Sequence, residues 1–332
     1  LGGMARYTVS MRTLIADKFE KQGTDGLKGL GCDVTSNAEI TAVDLPGLVG
    51  TLDPEVIIVR SKKVQAPAIL AAKSLKLIIR AGAGYDNIDC KAAAAKDIAV
   101  CNCPGMNAVA VAELVMGLLV CCDRRIPDQV AELRAGQWNK GAYSKARGLK
   151  GMTLGVIGVG GIGREVIRRA KAFDMSCIAH SLNMNPLRAQ DLGVGHGGHT
   201  RQDLLKMLPE CDAVSLHVAA NNESEKMCNA EFFAAMKPGA YFINTSRGSV
   251  VDEAALREAI QSKGIRAGLD VFADEPAEAK TSWQTPTVAL PGVYGTHHCG
   301  ASTDQAQFAV AEEVVRIVKT YRNSGKFENR VN

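Results

Sequence analysis

Three charged residues in the second half of the chain have the types and settings that acid–base chemistry on a hydroxy acid would need. Arg247 stands in Asn244-Thr-Ser-Arg-Gly248 where an apolar run ends, Glu275 in Asp270-Val-Phe-Ala-Asp-Glu-Pro276 after another, and His298 in Thr296-His-His-Cys-Gly-Ala-Ser-Thr303. An imidazole can take a hydroxyl proton, a carboxylate beside it fixes the ring and favours its charged form, and a guanidinium fork can grip a carboxylate and a nascent carbonyl. At the ends of parallel strands such residues would point into one crevice, where ligands of open α/β sheets bind. On residue types alone, three solvated charges at loop starts is an equally good reading.

A second signal lies upstream. Gly158-Val-Gly160-Gly-Ile-Gly163 follows the apolar run Met152 to Ile157 and opens an expected helix from Arg164 to Phe173. In that setting Gly158 makes the tight turn, Gly160 lets the backbone approach a pyrophosphate, and Gly163 lets helix and strand pack closely. The helix N-terminus adds free N–H groups and a positive dipole end for the anion. An acid normally follows at the next strand end to hold the ribose of NAD, but here the run is Ala179-His-Ser181-Leu-Asn183. Without a carboxylate nothing repels a 2′-phosphate, yet the next arginine, Arg188, is seven residues beyond Ser181. NAD is the expected cofactor, and Ser181 leaves NADP as the alternative.

The elements that must position these residues are legible as alternating patterns. From Thr13 to Asn102 short apolar runs (Thr13 to Ala16, Asp33-Val34, Val56 to Val59, Leu77 to Ile79, Ala99 to Cys101) alternate with Ala/Lys/Leu-rich stretches, and continuous apolar strands between helices mean a parallel sheet covered on both faces. Helical stretches follow at Asn107 to Cys122 and Pro127 to Ala135, after which the alternation restarts at Met152 and runs through Ser176 to Ala179, Ala213 to His217, Ala240 to Asn244, Arg266 to Val271 and Thr287 to Leu290. A closing helix from Thr303 to about Asn323 would put Phe308, Ala311, Val315 and Val318 on one face. The expected fold class is α/β, with two doubly wound parallel-sheet domains. One is a discontinuous substrate-binding domain, 4–104 and 297–332, and the other a dinucleotide-binding Rossmann domain, 105–296, with the active site in the cleft between them.

Composition excludes other classes. A length of 332 residues with 46% apolar and 22% charged residues suits about two globular domains. Net charge is only +4, far from the basic stripe that nucleic acid requires, and the longest apolar run, Ala108 to Cys122, is too short for a bilayer and contains Glu113. Neither nucleic acid nor membrane is an expected partner. The 10 cysteines form no Cys-x-x-Cys and mostly sit in apolar runs, which fits free thiols in a reducing compartment. The start, Leu1-Gly2-Gly3-Met4, reads as a cloning remnant before an initiator Met, so the expected location is cytoplasmic, with an organelle reached after peptide removal as the alternative.

Over nearly its whole length the chain resembles the D-isomer-specific 2-hydroxyacid dehydrogenases. The matching pieces are Arg80-Ala-Gly-Ala-Gly-Tyr-Asp-Asn-Ile-Asp89, Asn102-Cys-Pro-Gly-Met-Asn107, Gly155 to Gly163, Asn244 to Asp252, Gly268-Leu-Asp-Val-Phe272 with Glu275-Pro276, and His298-Cys-Gly-Ala-Ser-Thr303 with Gln305-Ala-Gln307. The Gly-Ala-Ser-Thr-x-x-Ala-Gln stretch favours the phosphoglycerate branch. The resemblance implies an oxidoreductase that converts 3-phosphoglycerate to 3-phosphohydroxypyruvate at the entry to serine synthesis, acting as a homodimer through the Asn107 to Ala135 region. It implies that Arg247, Glu275 and His298 are catalytic and that Gly161 and Ile162 amides meet the pyrophosphate. Ser181 would lie near the ribose, with Thr245 and Asp270 at the nicotinamide. It further implies that the Ala83 and Gly84 backbone, with Asn107 near, meets the substrate carboxylate, and that Arg60 and Arg80 hold a substrate phosphate. A glyoxylate or hydroxypyruvate reductase is the nearest rival, and a dinucleotide-sensing corepressor-like binding protein a more distant one.

Other candidates carry less. His217 ends a strand beside the cofactor crevice and is expected to line it. His196-Gly-Gly-His199 reads as a polar loop, with no metal site expected, because no acid or cysteine clusters beside it. Cys299 adjoins the base and is expected to be either an oxidation-sensitive or a buried, inert thiol. His297 precedes the base, so either ring could be drawn in its place, and the alignment of Gly300-Ala-Ser-Thr303 selects His298.

Overall fold

The computed structural model describes residues 10–276 and 280–332. The Leu1 to Met4 start, and with it the expected domain limit at residue 4, lies outside them. The chain divides into two compact units, one running to Asn107 and resuming with Ser302–Asn332, the other Ala108–Ala301.

The first unit is a parallel five-stranded sheet of β1 (Met11–Ile15), β2 (Cys32–Ser36), β3 (Val56–Val59), β4 (Leu77–Arg80) and β5 (Ala99–Asn102), in the order β2-β1-β3-β4-β5. That is the flavodoxin-like doubly wound order. Alternation splits the strands between two cores. Leu14, Ile57, Val59, Ile78 and Val100 face one layer of helices, while Ile15, Val56, Ile58, Leu77, Ile79 and Cys101 face the other. The helix Asp304–Ser324 closes the second layer with Val310, Val314, Ile317 and Val318. Of the expected face, Ala311 and Val318 are fully buried and Val315 packs against this core, but Phe308 is exposed, because the buried stripe continues along Ala306, Val310, Val314 and Ile317.

The second unit is a parallel seven-stranded sheet. Its strands are β6 (Thr153–Ile157), β7 (Ser176–His180), β8 (Gly195–His196), β9 (Ala213–Leu216), β10 (Tyr241–Asn244), β11 (Arg266–Leu269) and β12 (Val293–Gly295), ordered β12-β11-β10-β9-β6-β7-β8. The order reverses at β6, which pairs with both β7 and β9, so the crevice of this Rossmann sheet opens beyond the C-terminal ends of β6 and β9. One face packs on the helices Ala108–Arg124 and Gly161–Ala172. The other is filled around Phe232, Phe233 and Phe242, whose rings meet edge-on at 5.1 to 6.1 Å.

The expected strand at Thr287 to Leu290 is a turn, and the last strand of the sheet forms later, at Val293–Gly295. Thr287 is fully buried for another reason: its hydroxyl donates to Glu253 Oε2 (2.6 Å) and accepts from Arg257 Nη1 (3.2 Å). Pro286 and Pro291 flank the segment and cannot donate to a ladder. Among the described residues no helix is long and apolar enough to cross a membrane.

Candidate active site

In the second unit the three charged residues leave the C-terminal ends of neighbouring strands. After β10 the Asn244 side chain folds the chain into a tight turn, its Oδ1 accepting from Ser246 N (3.0 Å) and Oγ (2.9 Å) and its Nδ2 donating to Arg247 O (3.0 Å). The Arg247 Nη1 donates to Ser246 O (2.7 Å). Gly248 then presses against the backbone that follows β11: a Cβ there would lie 2.0 Å from the Phe272 carbonyl. Only glycine permits that approach, which brings the Arg247 turn beside the segment leading to Glu275. Glu253 steadies this segment by accepting from Ala273 N (2.8 Å).

His298 Nδ1 lies 2.7 Å from Glu275 Oε1. A carboxylate only accepts, so Nδ1 carries the hydrogen and Nε2 is left for acid–base work. Side-chain exposures of 46% for His298 and 36% for Glu275 leave both within reach of a ligand. His297 is exposed, and the ring that meets Glu275 is that of His298.

His298 has φ +50°, a left-handed conformation that costs a non-glycine residue about 1–2 kcal/mol. Asp270 holds it there. The buried Asp270 carboxylate accepts from Cys299 N (2.9 Å), Gly300 N (2.9 Å) and Thr296 Oγ1 (2.6 Å), and its carbonyl accepts from His298 N (2.8 Å). Besides the nicotinamide contact that the resemblance implies for Asp270, the geometry gives it a role that sequence reasoning missed, as an anchor of the histidine loop.

The glycine-rich loop has the shape of an anion cradle. Gly158 has φ +92°, and a Cβ on it would lie 2.4 Å from His217 O; one on Gly163 would lie 2.1 Å from Gly158 O. At Gly160 a Cβ would meet nothing within 4 Å, so that edge of the loop is open. Gly160 caps the helix Gly161–Ala172 without a side-chain bond, and the amides of Gly161 and Ile162, in its first turn, have no intrahelical acceptor.

Two further polar atoms at strand ends have no partner among the described residues: His217 Nδ1, after β9, and Thr245 Oγ1, after β10. His217 Nε2 is paired with Ser215 Oγ (2.9 Å), and desolvation pushes the ring's pKa down to about 3, so it is neutral. The open edge of the loop and these orphaned atoms fit a nicotinamide dinucleotide.

Ser181 follows β7 half-buried, its amide donating to Gly198 O (3.3 Å). Arg188 is not remote, as its sequence distance suggested. Asn185 Oδ1 caps the helix Pro186–Leu192 by accepting from Arg188 N (2.9 Å), and the guanidinium turns back so that Nη2 donates to Val159 O (3.1 Å) inside the glycine-rich loop.

In the first unit Arg60 and Arg80 leave adjacent strands, Val59 of β3 being paired with Arg80 of β4. Asp17, just past β1, fixes the loop after β3 by accepting from the amides of Arg60 (2.8 Å), Ser61 (2.9 Å) and Lys62 (2.8 Å). Arg60 Nη2 donates to Ser302 Oγ (3.2 Å). The Arg80 guanidinium lies over Gly82, where a Cβ would come within 1.6 Å of Nη1. Asn102 Nδ2 donates to Ala83 O (2.6 Å) and Cys103 N to Gly82 O (2.9 Å), so the Ala83-Gly84 loop is held against β5. Asn107 Oδ1 is buried with no partner among the described residues.

Burial pushes the thiols of Cys101, Cys103 and Cys211 up to about 12 and that of Cys177 to about 11. Cys299 is exposed, which removes the buried alternative for it. Among the described residues no group of three metal-ligating side chains forms, and His199 instead leads into the capping box of Thr200 and Asp203.

Comparison with known proteins matches residues 116–300 to the D-isomer specific 2-hydroxyacid dehydrogenase, NAD binding domain. The chain is 39% identical over 324 residues to a D-3-phosphoglycerate dehydrogenase of Methanocaldococcus jannaschii, covering 97% of this chain and 59% of the relative. It is also 39% identical over 318 residues to a hydroxypyruvate reductase of Thermotoga maritima, covering 95% of this chain and 98% of that relative. Among solved structures, a glyoxylate reductase from Paecilomyes thermophila aligns with TM-score 0.85 and 28% identity over 97% of this chain and 98% of its own. The chain belongs to the D-isomer-specific 2-hydroxyacid dehydrogenases. It spans about three-fifths of the phosphoglycerate dehydrogenase relative and nearly all of the hydroxypyruvate reductase.

Proposed function

We propose that this dehydrogenase oxidises 3-phosphoglycerate to 3-phosphohydroxypyruvate, the entry to serine synthesis. The observation that carries this reading is the pair of cations at adjacent strand ends, Arg60 and Arg80, with Arg60 bonded to Ser302 of the Gly-Ala-Ser-Thr segment. Two guanidinium groups at neighbouring loop starts are what a phosphomonoester needs. The Ala83-Gly84 backbone and the orphaned Asn107 Oδ1 suit a carboxylate and a hydroxyl.

His298 Nε2 accepts the hydroxyl proton while the carbinol C–H leaves as hydride and the C–O bond becomes a carbonyl. Glu275 orients the ring through Nδ1 and stabilises the imidazolium that forms. Arg247 stabilises charge on the developing carbonyl. Gly158 to Gly163, His217 and Thr245 would hold a nicotinamide dinucleotide, which when bound would supply the hydride acceptor. The exposed apolar residues Ile126, Val130 and Leu133 of the helix Ile126–Arg134 suit the homodimer contact, and the free, mostly buried thiols suit a cytoplasmic setting.

The test is steady-state turnover of 3-phosphoglycerate against hydroxypyruvate and glyoxylate, repeated with Arg60→Ala. The expected result is efficient turnover of the phosphorylated substrate and a rise in its KM of about tenfold or more in the variant, since a charged hydrogen bond contributes about 1.5–3 kcal/mol. An unchanged KM overturns the phosphate assignment. Turnover of hydroxypyruvate or glyoxylate alone would support the reductase reading, which the similarity over nearly the full length of a hydroxypyruvate reductase favours. Dinucleotide binding with no turnover would mark a binding protein.

A further inference from the structure

We propose that Glu253 is a positioning residue for the reaction: its carboxylate clasps both ends of the stretch that carries Glu275 and so sets where Glu275 meets His298. The inference rests on the reading above, in which Glu275 orients the histidine, and concerns what holds Glu275 in place.

The sequence offers an ordinary explanation for this acid. Glu253 opens the helix Glu253–Lys263, and the helix dipole favours a carboxylate in a first turn. The cap bonds, however, go to its neighbour: Asp252 Oδ1 accepts from Ala254 N (3.0 Å) and Ala255 N (3.2 Å). The half-buried Glu253 carboxylate turns instead to another segment, with one oxygen for each end of it. Its Oε1 accepts from Ala273 N (2.8 Å) and its Oε2 from the Thr287 hydroxyl (2.6 Å). Arg257, one turn further along the helix, donates to the same hydroxyl through Nη1 (3.2 Å). A hydroxyl both donates and accepts, and at the fully buried Thr287 a carboxylate and a guanidinium one turn apart meet both needs.

Glu275 stands between the two clasped points, two residues after Ala273 and twelve before Thr287. Burial does not fix it there, since Ala273, Asp274 and Glu275 are all exposed. Pro276 restricts the backbone of Glu275 to extended conformations, so its carboxylate goes where the Ala273 amide is tied. Trp283, in the same stretch, packs edge-on against the buried Phe272 with ring centroids 5.0 Å apart. The 2.7 Å contact between Glu275 Oε1 and His298 Nδ1 leaves little room for drift, because a displacement of about 1 Å in a positioned group can cost about 10²-fold in rate.

A general contribution of Glu253 to stability makes a different prediction, because it would act whether or not the Glu275 carboxylate is present. The experiment measures kcat and KM of the full chain for 3-phosphoglycerate oxidation and hydroxypyruvate reduction. It compares the unaltered protein, Glu253→Gln, Thr287→Val, Glu275→Gln and the double variant Glu253→Gln/Glu275→Gln. In parallel, Trp138→Phe leaves Trp283 as the one tryptophan, and acrylamide quenching of its fluorescence is read with and without Glu253→Gln. The expected result is a kcat lowered about tenfold by Glu253→Gln and several-fold by Thr287→Val, with KM changed by less than about twofold. Trp283 should be quenched about twofold more readily in the Glu253→Gln chain. On the Glu275→Gln background, Glu253→Gln should change kcat by less than about twofold, because the group it positions is gone. An unchanged kcat in Glu253→Gln and Thr287→Val overturns the clasp, as does unchanged quenching or the same tenfold loss on both backgrounds. A Glu275→Gln chain as fast as the unaltered one overturns the orienting role of Glu275 and the clasp with it. A slow Glu275→Gln chain beside a fully active Glu253→Gln chain overturns the clasp alone and leaves that role intact.

Discussion

Two carboxylates do the same job in the two units. Asp17 lies just past a strand of the five-stranded sheet and collects the amides of Arg60, Ser61 and Lys62; Asp270 lies just past a strand of the seven-stranded sheet and collects those of Cys299 and Gly300. Each pins the loop that leaves another strand. They differ in burial and in what they restrain. Asp17 is half-buried and holds an ordinary loop whose arginine reaches an exposed serine at 3.2 Å. Asp270 is 2% exposed, adds the Thr296 hydroxyl, and holds a histidine in a left-handed conformation. A phosphate clamp works through long-reaching charge and tolerates a loose arginine, whereas proton transfer requires a ring fixed to within a fraction of an ångström.

The largest effect should come from the proposed base. His298→Asn should reduce kcat by about 10²–10⁴-fold with dinucleotide affinity unchanged, measured by turnover and fluorescence titration. Retained activity would move the base to His297 and leave Asp270 without its proposed role. Next in size, Asp270→Asn keeps the volume but weakens the charge-assisted bonds to Cys299 N and Gly300 N, and should lower kcat by about 10²-fold, with a shifted pH profile and little change in KM. A change in KM alone would argue that Asp270 serves the ligand and not the loop.

Asp17→Asn, the matching change in the other unit, should raise the KM for the phosphorylated substrate only a few-fold and cost about 1 kcal/mol of stability. An effect equal to that of Asp270→Asn would erase the contrast. The smallest effect expected is on pH. His217 is held neutral, with its folded pKa depressed from 6.5 to about 3, so between those values the unfolded chain binds the extra proton. Stability from this residue is complete above about pH 6.5 and falls as pH drops toward 3. Denaturant titrations of the unaltered chain and of His217→Asn should diverge in that window, and parallel pH dependence would mean the ring is not desolvated.

Much of the site was legible because its chemistry follows chain order. Gly158, Gly160 and Gly163 act within one turn, and Arg247, Glu275 and His298 each follow an apolar run that any reading makes a strand. The supports were not legible. Asp17 acts on amides 43 to 45 residues away, and Asp270 on amides 29 and 30 residues away, with no local pattern to mark either. Arg188, seven residues beyond Ser181, comes back to the glycine-rich loop because Asn185 caps a helix that starts at Pro186, and Asn before Pro is a helix start visible in the sequence. Phe308 and the Thr287 segment depart from the hydrophobic pattern because each has a competitor in the fold: a better apolar stripe for the one, a buried hydroxyl bonded to Glu253 for the other.

By itself, the amino-acid sequence determined the two parallel α/β sheets, the glycine-rich turn before a helix and the acid–base residue types, since hydrophobic period, glycine spacing and side-chain chemistry are local properties. Only the tertiary structure decided which histidine meets Glu275, which carboxylates hold the loops and that Arg188 reaches the glycine-rich loop. Those depend on contacts between segments far apart in the chain, and their geometry exists only once the sheet that carries them is packed.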